Sequence, residues 1–248
     1  MGNIFSYDSK VMRTLMYVGD MIILNILFLI CSIPIITIGA AQTGLYTGIR
    51  VLQDPEDDSS PAGAFIRGFI GGFGKITLIW TLFLVIFIFL ILSLVPAIAK
   101  EAPATAALAQ YAQIPNVHPL ISTVALALCA LICNMLIMFH TRFNCSLTQL
   151  FRNSVLMNLA HPIRSIFATA LVWVPVFVLL GNFYMFMQIT PVFAAFGFCG
   201  LSHLSFGLLN KPFKELIQRE KAREAEASGE ALPEETLEQI PDEAEETV

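Results

Sequence analysis

Long apolar runs separated by short polar segments dominate this chain. A helix needs about 20 mostly apolar residues to cross the hydrocarbon core of a bilayer. Five stretches meet that requirement: about 21–42, 76–99, 119–139, 164–184 and 191–209. Backbone groups in lipid must be hydrogen-bonded within their own segment, so each run is read as a helix. The expected fold is all-α, a polytopic transmembrane helical bundle of about five spans. The last two runs are separated only by residues around Met187–Thr190 and are expected to form a tight helical hairpin. Two further segments carry a different pattern. Residues 64–75 place Phe65, Ile66, Phe69, Ile70 and Phe73 at helical spacing, with Arg67 and Lys75 elsewhere. Residues 147–161 place Leu147, Leu150, Phe151, Val155 and Leu159 in the same way. Both predict amphipathic helices at the cytoplasmic interface, each leading into a span. Their shared layout is that of a weak parallel internal repeat.

The first run differs from the others in carrying Asn25, Cys31, Ser32, Pro34, Thr37, Gly39 and Gln42. Pro34 removes a backbone donor and disfavours helix at Ile33, so a kink is expected there. The carbonyl freed by the kink needs a partner in lipid, and Thr37 or a neighbouring helix can supply one. A re-entrant first segment is the alternative to a full crossing. After the last run the pattern changes again. KPFKELIQREKAREAEA, from Lys211, pairs opposite charges at helical spacing, with Pro212 suited to its first turn. Beyond Gly229 the sequence is acidic, poor in aromatics and punctuated by Pro233 and Pro241, which predicts disorder. The domain reading is therefore a transmembrane domain over 1–209, a charged cytoplasmic helix over 210–228 and an acidic tail over 229–248.

Composition agrees with this picture: 56% of residues are hydrophobic and only 13% are charged, against about a quarter charged in soluble domains. The net charge of −5 belongs to the tail. Residues 1–209 hold nine Lys/Arg against seven Asp/Glu, whereas residues 210–248 hold five against twelve. Lys and Arg cluster in the 43–75 and 141–164 loops and in the tail. By the positive-inside rule these segments are cytoplasmic and the N-terminus is outside. A re-entrant first segment would bring the N-terminus to the cytoplasmic side as well.

Candidate chemistry is sparse. IRGFIGGFGKIT, residues 66–77, resembles a phosphate-binding loop at first sight. That motif requires a glycine where Phe69 stands and a hydroxyl where Ile76 stands. The glycines are better read as contact points for another helix, as Gly68-x-x-x-Gly72 permits. Cys129, Cys133 and His140 share a helix face, but no carboxylate accompanies them and the neighbours are apolar, which favours packing over a metal. No Asp, Glu, Lys or Arg lies deep in any run, and no catalytic serine–histidine or aspartate pair is apparent. The chain is read as a non-enzyme with no cofactor, no metal and no nucleic-acid partner. The polar residues left over, Asn25, Asn134, Asn182 and His203, are the candidate polar intramembrane site. Two geometries separate their roles: convergence on one cavity favours a transporter, and separate pairs between helices favour a scaffold.

The segment FSYDSKVMRTLMYVGDMIILNILFLICSIPIITIGAAQTGLYTGIRVL resembles the YesL family of bacterial integral membrane proteins, a family of unknown function. The likeness lies in Asp8-Ser9, Asp20, Leu24-Asn25, Cys31-Ser32-x-Pro34, Thr37-Ile38-Gly39 and Leu45-Tyr46. Over 60–209 it rests on layout alone. The resemblance implies no established activity. It implies a multi-pass protein of the cell membrane, in contact with the lipid bilayer and associated with carbohydrate utilisation. On that basis the expected function is an accessory or interaction component of sugar uptake or sensing, partnered by a sugar ABC importer or a sensor kinase. A transporter of sugar-like solutes is the alternative.

Overall fold

The computed structural model describes residues 10–54, 59–99, 118–143, 145–181 and 183–228. Among these the regular structure is entirely helical. The chain divides into two compact units, Met1–Phe206 and Gly207–Val248. Among the described residues four helices are long and apolar enough to cross a membrane, and a fifth crossing results if a sharply bent pair counts as one.

The first of the four is α1, Lys10–Cys31. Its membrane-length portion is Val11–Cys31, so the crossing lies about ten residues nearer the N-terminus than the 21–42 run suggests. The reason is Pro34, which sits in extended backbone (φ −77°, ψ 118°) and separates α1 from the next helical turn. The expected kink is a full break. Thr37 Oγ1 donates to the carbonyls of Cys31 and Pro34, both at 2.7 Å. Trp80 Nε1 donates to Ile35 O at 2.8 Å. Thr37 is thus the local partner expected at the break, whereas the Trp80 bond goes to a carbonyl beyond it that also accepts from the Ile38 N–H.

After a single 3₁₀ turn, Ile35–Thr37, helix α2 runs over Ile38–Gln53 and is buried along most of its length. Helix α3, Pro61–Gly72, returns antiparallel to it. Ser60 caps α3 by accepting from Gly63 N at 3.2 Å, and Pro61 fills the first turn. The two helices meet through small residues. A Cβ at Gly44 would lie 2.8 Å from Phe65 O, one at Gly68 would lie 2.5 Å from Thr47 Oγ1, and one at Gly72 would lie 3.1 Å from Thr43 Cβ. Gly71 and Gly74 face open space. The glycines of IRGFIGGFGKIT thus fall into two classes, and Gly68 and Gly72 are the helix contacts that their spacing predicts. Phe65 is buried, while Ile66, Ile70 and Phe73 point outward.

Helix α4, Lys75–Ala99, and helix α5, Pro119–His140, are the most apolar crossings. They are tied together by a buried Ser93–Ser122 hydroxyl bond of 2.7 Å. Helix α6, Leu147–Ala160, begins at Ser146, whose N–H donates to Gln149 Oε1 at 3.3 Å. Helix α7, Pro162–Gly181, leaves α6 at 109°, turning at His161.

The expected hairpin at Met187–Thr190 is not a turn. Those residues lie inside helix α8, Phe183–Val192, which leads through a π-helical segment, Phe193–Gly197, into α9, Phe198–Ser228. Pro191 lies near the end of α8, and the π segment begins two residues after it. The charged helix expected from Lys211 is likewise the continuation of α9, and Pro212 sits in its interior rather than in a first turn. Asp8, Ser9, Asn182 and the 229–248 tail lie outside the described residues.

Candidate functional site

The polar residues singled out in the sequence fall into three separate hydrogen-bonded sets. Asn25, on α1, is fully buried. Its Nδ2 donates to Phe193 O at 3.0 Å and to Ala194 O at 2.8 Å, and its Oδ1 accepts from Cys199 N at 2.9 Å. A π segment disrupts the regular i→i−4 ladder and leaves backbone groups without their usual partners. One amide side chain from another helix satisfies them here. Asn134, on α5, accepts from Tyr46 Oη at 2.8 Å and donates to Thr169 Oγ1 at 3.2 Å, linking α5 to α2 and α7. His203, on α9, pairs with Tyr17 Oη of α1, the two rings standing edge to face. A fourth contact, which the sequence pattern does not reveal, joins Gln42 Nε2 to Ser202 Oγ at 3.3 Å. Asn134 also lines a cavity.

That cavity has a volume of about 400 Å³. It lies between α1, α2, α4, α5, α7 and the start of α9. Aromatic rings form much of its wall: Phe28, Trp80, Phe87, Trp173 and Phe198. Phe87 packs edge-on against Trp173, with ring centroids 5.2 Å apart. Gly39 is part of the wall because a Cβ there would lie 2.5 Å from Trp80 Cβ, so only glycine lets α4 come this close. The polar members of the lining are Ser32, Gln42, Asn134 and Ser202, and no charged residue takes part.

The motif residues therefore converge on a framework. Asn25 holds the π segment, Cys31 and Thr37 close the break at Pro34, Gly39 admits Trp80, and Tyr46 anchors Asn134. Asp20 is partly exposed on α1. Outside the spans, Arg50 Nη1 donates to Thr141 O at 3.0 Å, at the carboxyl end of α5. The Arg142 guanidinium lies 4.2 Å above the Phe206 ring. Burial, and secondarily the nearby Arg50, pull the Arg142 pKa down to about 10. All five cysteines are free. Among the described residues no group of His, Cys, Asp or Glu is arranged to hold a metal ion.

Comparison with known proteins places this framework in context. Neither the curated proteins nor the solved structures contain a match to this chain. A family model described as "Protein of unknown function, DUF624" matches residues 21–94, the stretch that carries Asn25, the Pro34 break, the α2–α3 pair and the cavity wall of α4.

Proposed function

We propose that this chain is a multi-pass cell-membrane protein of the YesL family with its C-terminus in the cytoplasm. In this reading it is a non-enzymatic accessory or interaction component of bacterial carbohydrate uptake or sensing. Its partner is a sugar ABC importer or a sensor kinase. The observation that carries the reading is the placement of the polar intramembrane side chains. Asn25, Asn134 and His203 each bind groups on another helix and do not face one shared polar cleft. Buried amides and hydroxyls used this way hold helices in register. The outward faces of α3 and α6, with Ile66, Ile70, Phe151 and Leu159 exposed, are open to lipid or to a partner helix. The resemblance over the first helices supports the carbohydrate setting.

Transport of a sugar-like solute is the weaker reading. A sugar needs many hydrogen-bond partners, and in the cavity Gln42, Asn134 and Ser202 are already bonded to protein. The test is mild solubilisation of native membranes followed by capture of the tagged full chain. Importer permease subunits or a sensor kinase should be recovered with it in fixed proportion. Recovery of the chain alone, together with sugar uptake unchanged on deletion, would sink the proposal.

A further inference from the structure

The cavity between α1, α2, α4, α5, α7 and α9 is more than a packing defect. Small-molecule sites begin at about 300 Å³. This one is about 400 Å³. We propose that it is a binding site for an uncharged amphiphile drawn from the bilayer, an apolar chain carrying one neutral hydrogen-bonding head such as a hydroxyl.

Three observations fix that chemistry. The first is the mouth. Ile35, Ile88 and Ile91 line the cavity and are also 61%, 49% and 48% exposed, on the apolar surface that faces lipid in a spanning bundle. Access is therefore from the hydrocarbon layer. The second is the gradient of polarity. The exposed members of the lining, Ile35, Ile88 and Ile91, are all aliphatic, whereas the polar Gln42, Asn134 and Ser202 are buried, among Phe28, Phe87, Cys133 and Ile137. Ser32 adds a buried hydroxyl oxygen with no hydrogen-bond partner among the described residues. An unmet buried hydroxyl is costly, and a ligand head group would satisfy it. The third is charge. With no cationic or anionic side chain in the wall, a carboxylate or ammonium head would be buried unpaired. The aromatic wall, Trp80, Phe87 and Trp173, accepts a chain along its faces.

The test uses a convenient property of the chain: its two tryptophans, Trp80 and Trp173, both line this cavity. The full-length protein in phosphatidylcholine nanodiscs is titrated with a dansyl-labelled fatty alcohol, and energy transfer from tryptophan is followed. Transfer should saturate near one probe per chain. Excess decanol should reverse it, and maltose should not. The matching dansyl fatty acid, ionised, should bind at least about tenfold more weakly, since an unpaired buried charge costs more than a tenfold change in affinity represents. Val172→Phe, which fills the cavity, should abolish saturable transfer while elution and helicity stay unchanged. Ser32→Ala, which removes the unpartnered hydroxyl, should weaken the alcohol by roughly three- to tenfold, the loss of one hydrogen bond. Transfer that rises in proportion to probe content without saturating would overturn the proposal. So would equal transfer in a folded Val172→Phe protein, or displacement by maltose. The wild-type titration and its competition decide the matter even if Val172→Phe does not fold.

Discussion

Asn25 shows how much a single side chain can do inside a bundle. It makes three hydrogen bonds to the backbone of a segment 168 to 174 positions later in the chain. Asn25→Leu removes all three and leaves the buried Cys199 N–H without its side-chain acceptor and the Phe193 and Ala194 carbonyls without their side-chain donor. The expected cost is at least about 2 kcal/mol of stability, read as earlier unfolding in a denaturing-detergent titration. Tyr46 and Asn134 form a second such contact, between α2 and α5. Tyr46→Phe and Asn134→Leu should each destabilise, and the double variant should lose less than the sum, by about 0.5–3 kcal/mol. Additive losses would show that the hydroxyl–amide bond is not what joins these helices. The polarity of Asn25 is legible in the sequence as an anomaly in an apolar run. Its role is not, because nothing local marks Phe193–Gly197 as a π segment, and the two halves of the contact are far apart in the chain.

At the scale of the element, the legible features are those with a local cause. The crossings α4 and α5 come from unbroken apolar runs, and the break at Pro34 comes from ring sterics. Hydropathy alone misplaces the limits of α1, because apolar residues continue across Pro34 without interruption and join two elements into one run. The gap between apolar runs at Met187–Thr190 misleads in the opposite sense, suggesting a turn where the helix passes through. The α2–α3 pair depends on the lack of side chains at the contact, and this yields an internally controlled prediction. Gly68→Leu should open the pair and cost about 1–3 kcal/mol through overpacking, because its Cβ would meet Thr47 and the Gly44 backbone. Gly71→Leu, whose Cβ would meet nothing within 4 Å, should be nearly neutral. Equal effects in a thermal-stability assay would remove the close-approach argument. Neither variant should alter nucleotide binding, since residues 66–77 are helix and turn that pack on α2.

Within Met1–Phe206, Asn25, Asn134 and His203 are each engaged with groups on other helices, and many large apolar side chains face outward. Lys and Arg are concentrated in residues 43–75 and 141–164 and in the tail, and the positive-inside rule predicts that these segments face the cytoplasm. A single cysteine introduced at Ser228, in a background without the five native cysteines, should react with an impermeant maleimide only after the cells are opened. Reaction in intact cells would invert the topology. The central claim is that the bundle works by holding a partner in the membrane, and co-purification tests it most directly. Capture of the tagged full chain from gently solubilised native membranes should bring down sugar-importer permease subunits or a sensor kinase in constant ratio. A chain recovered alone, from cells whose sugar uptake is indifferent to its deletion, would contradict the account.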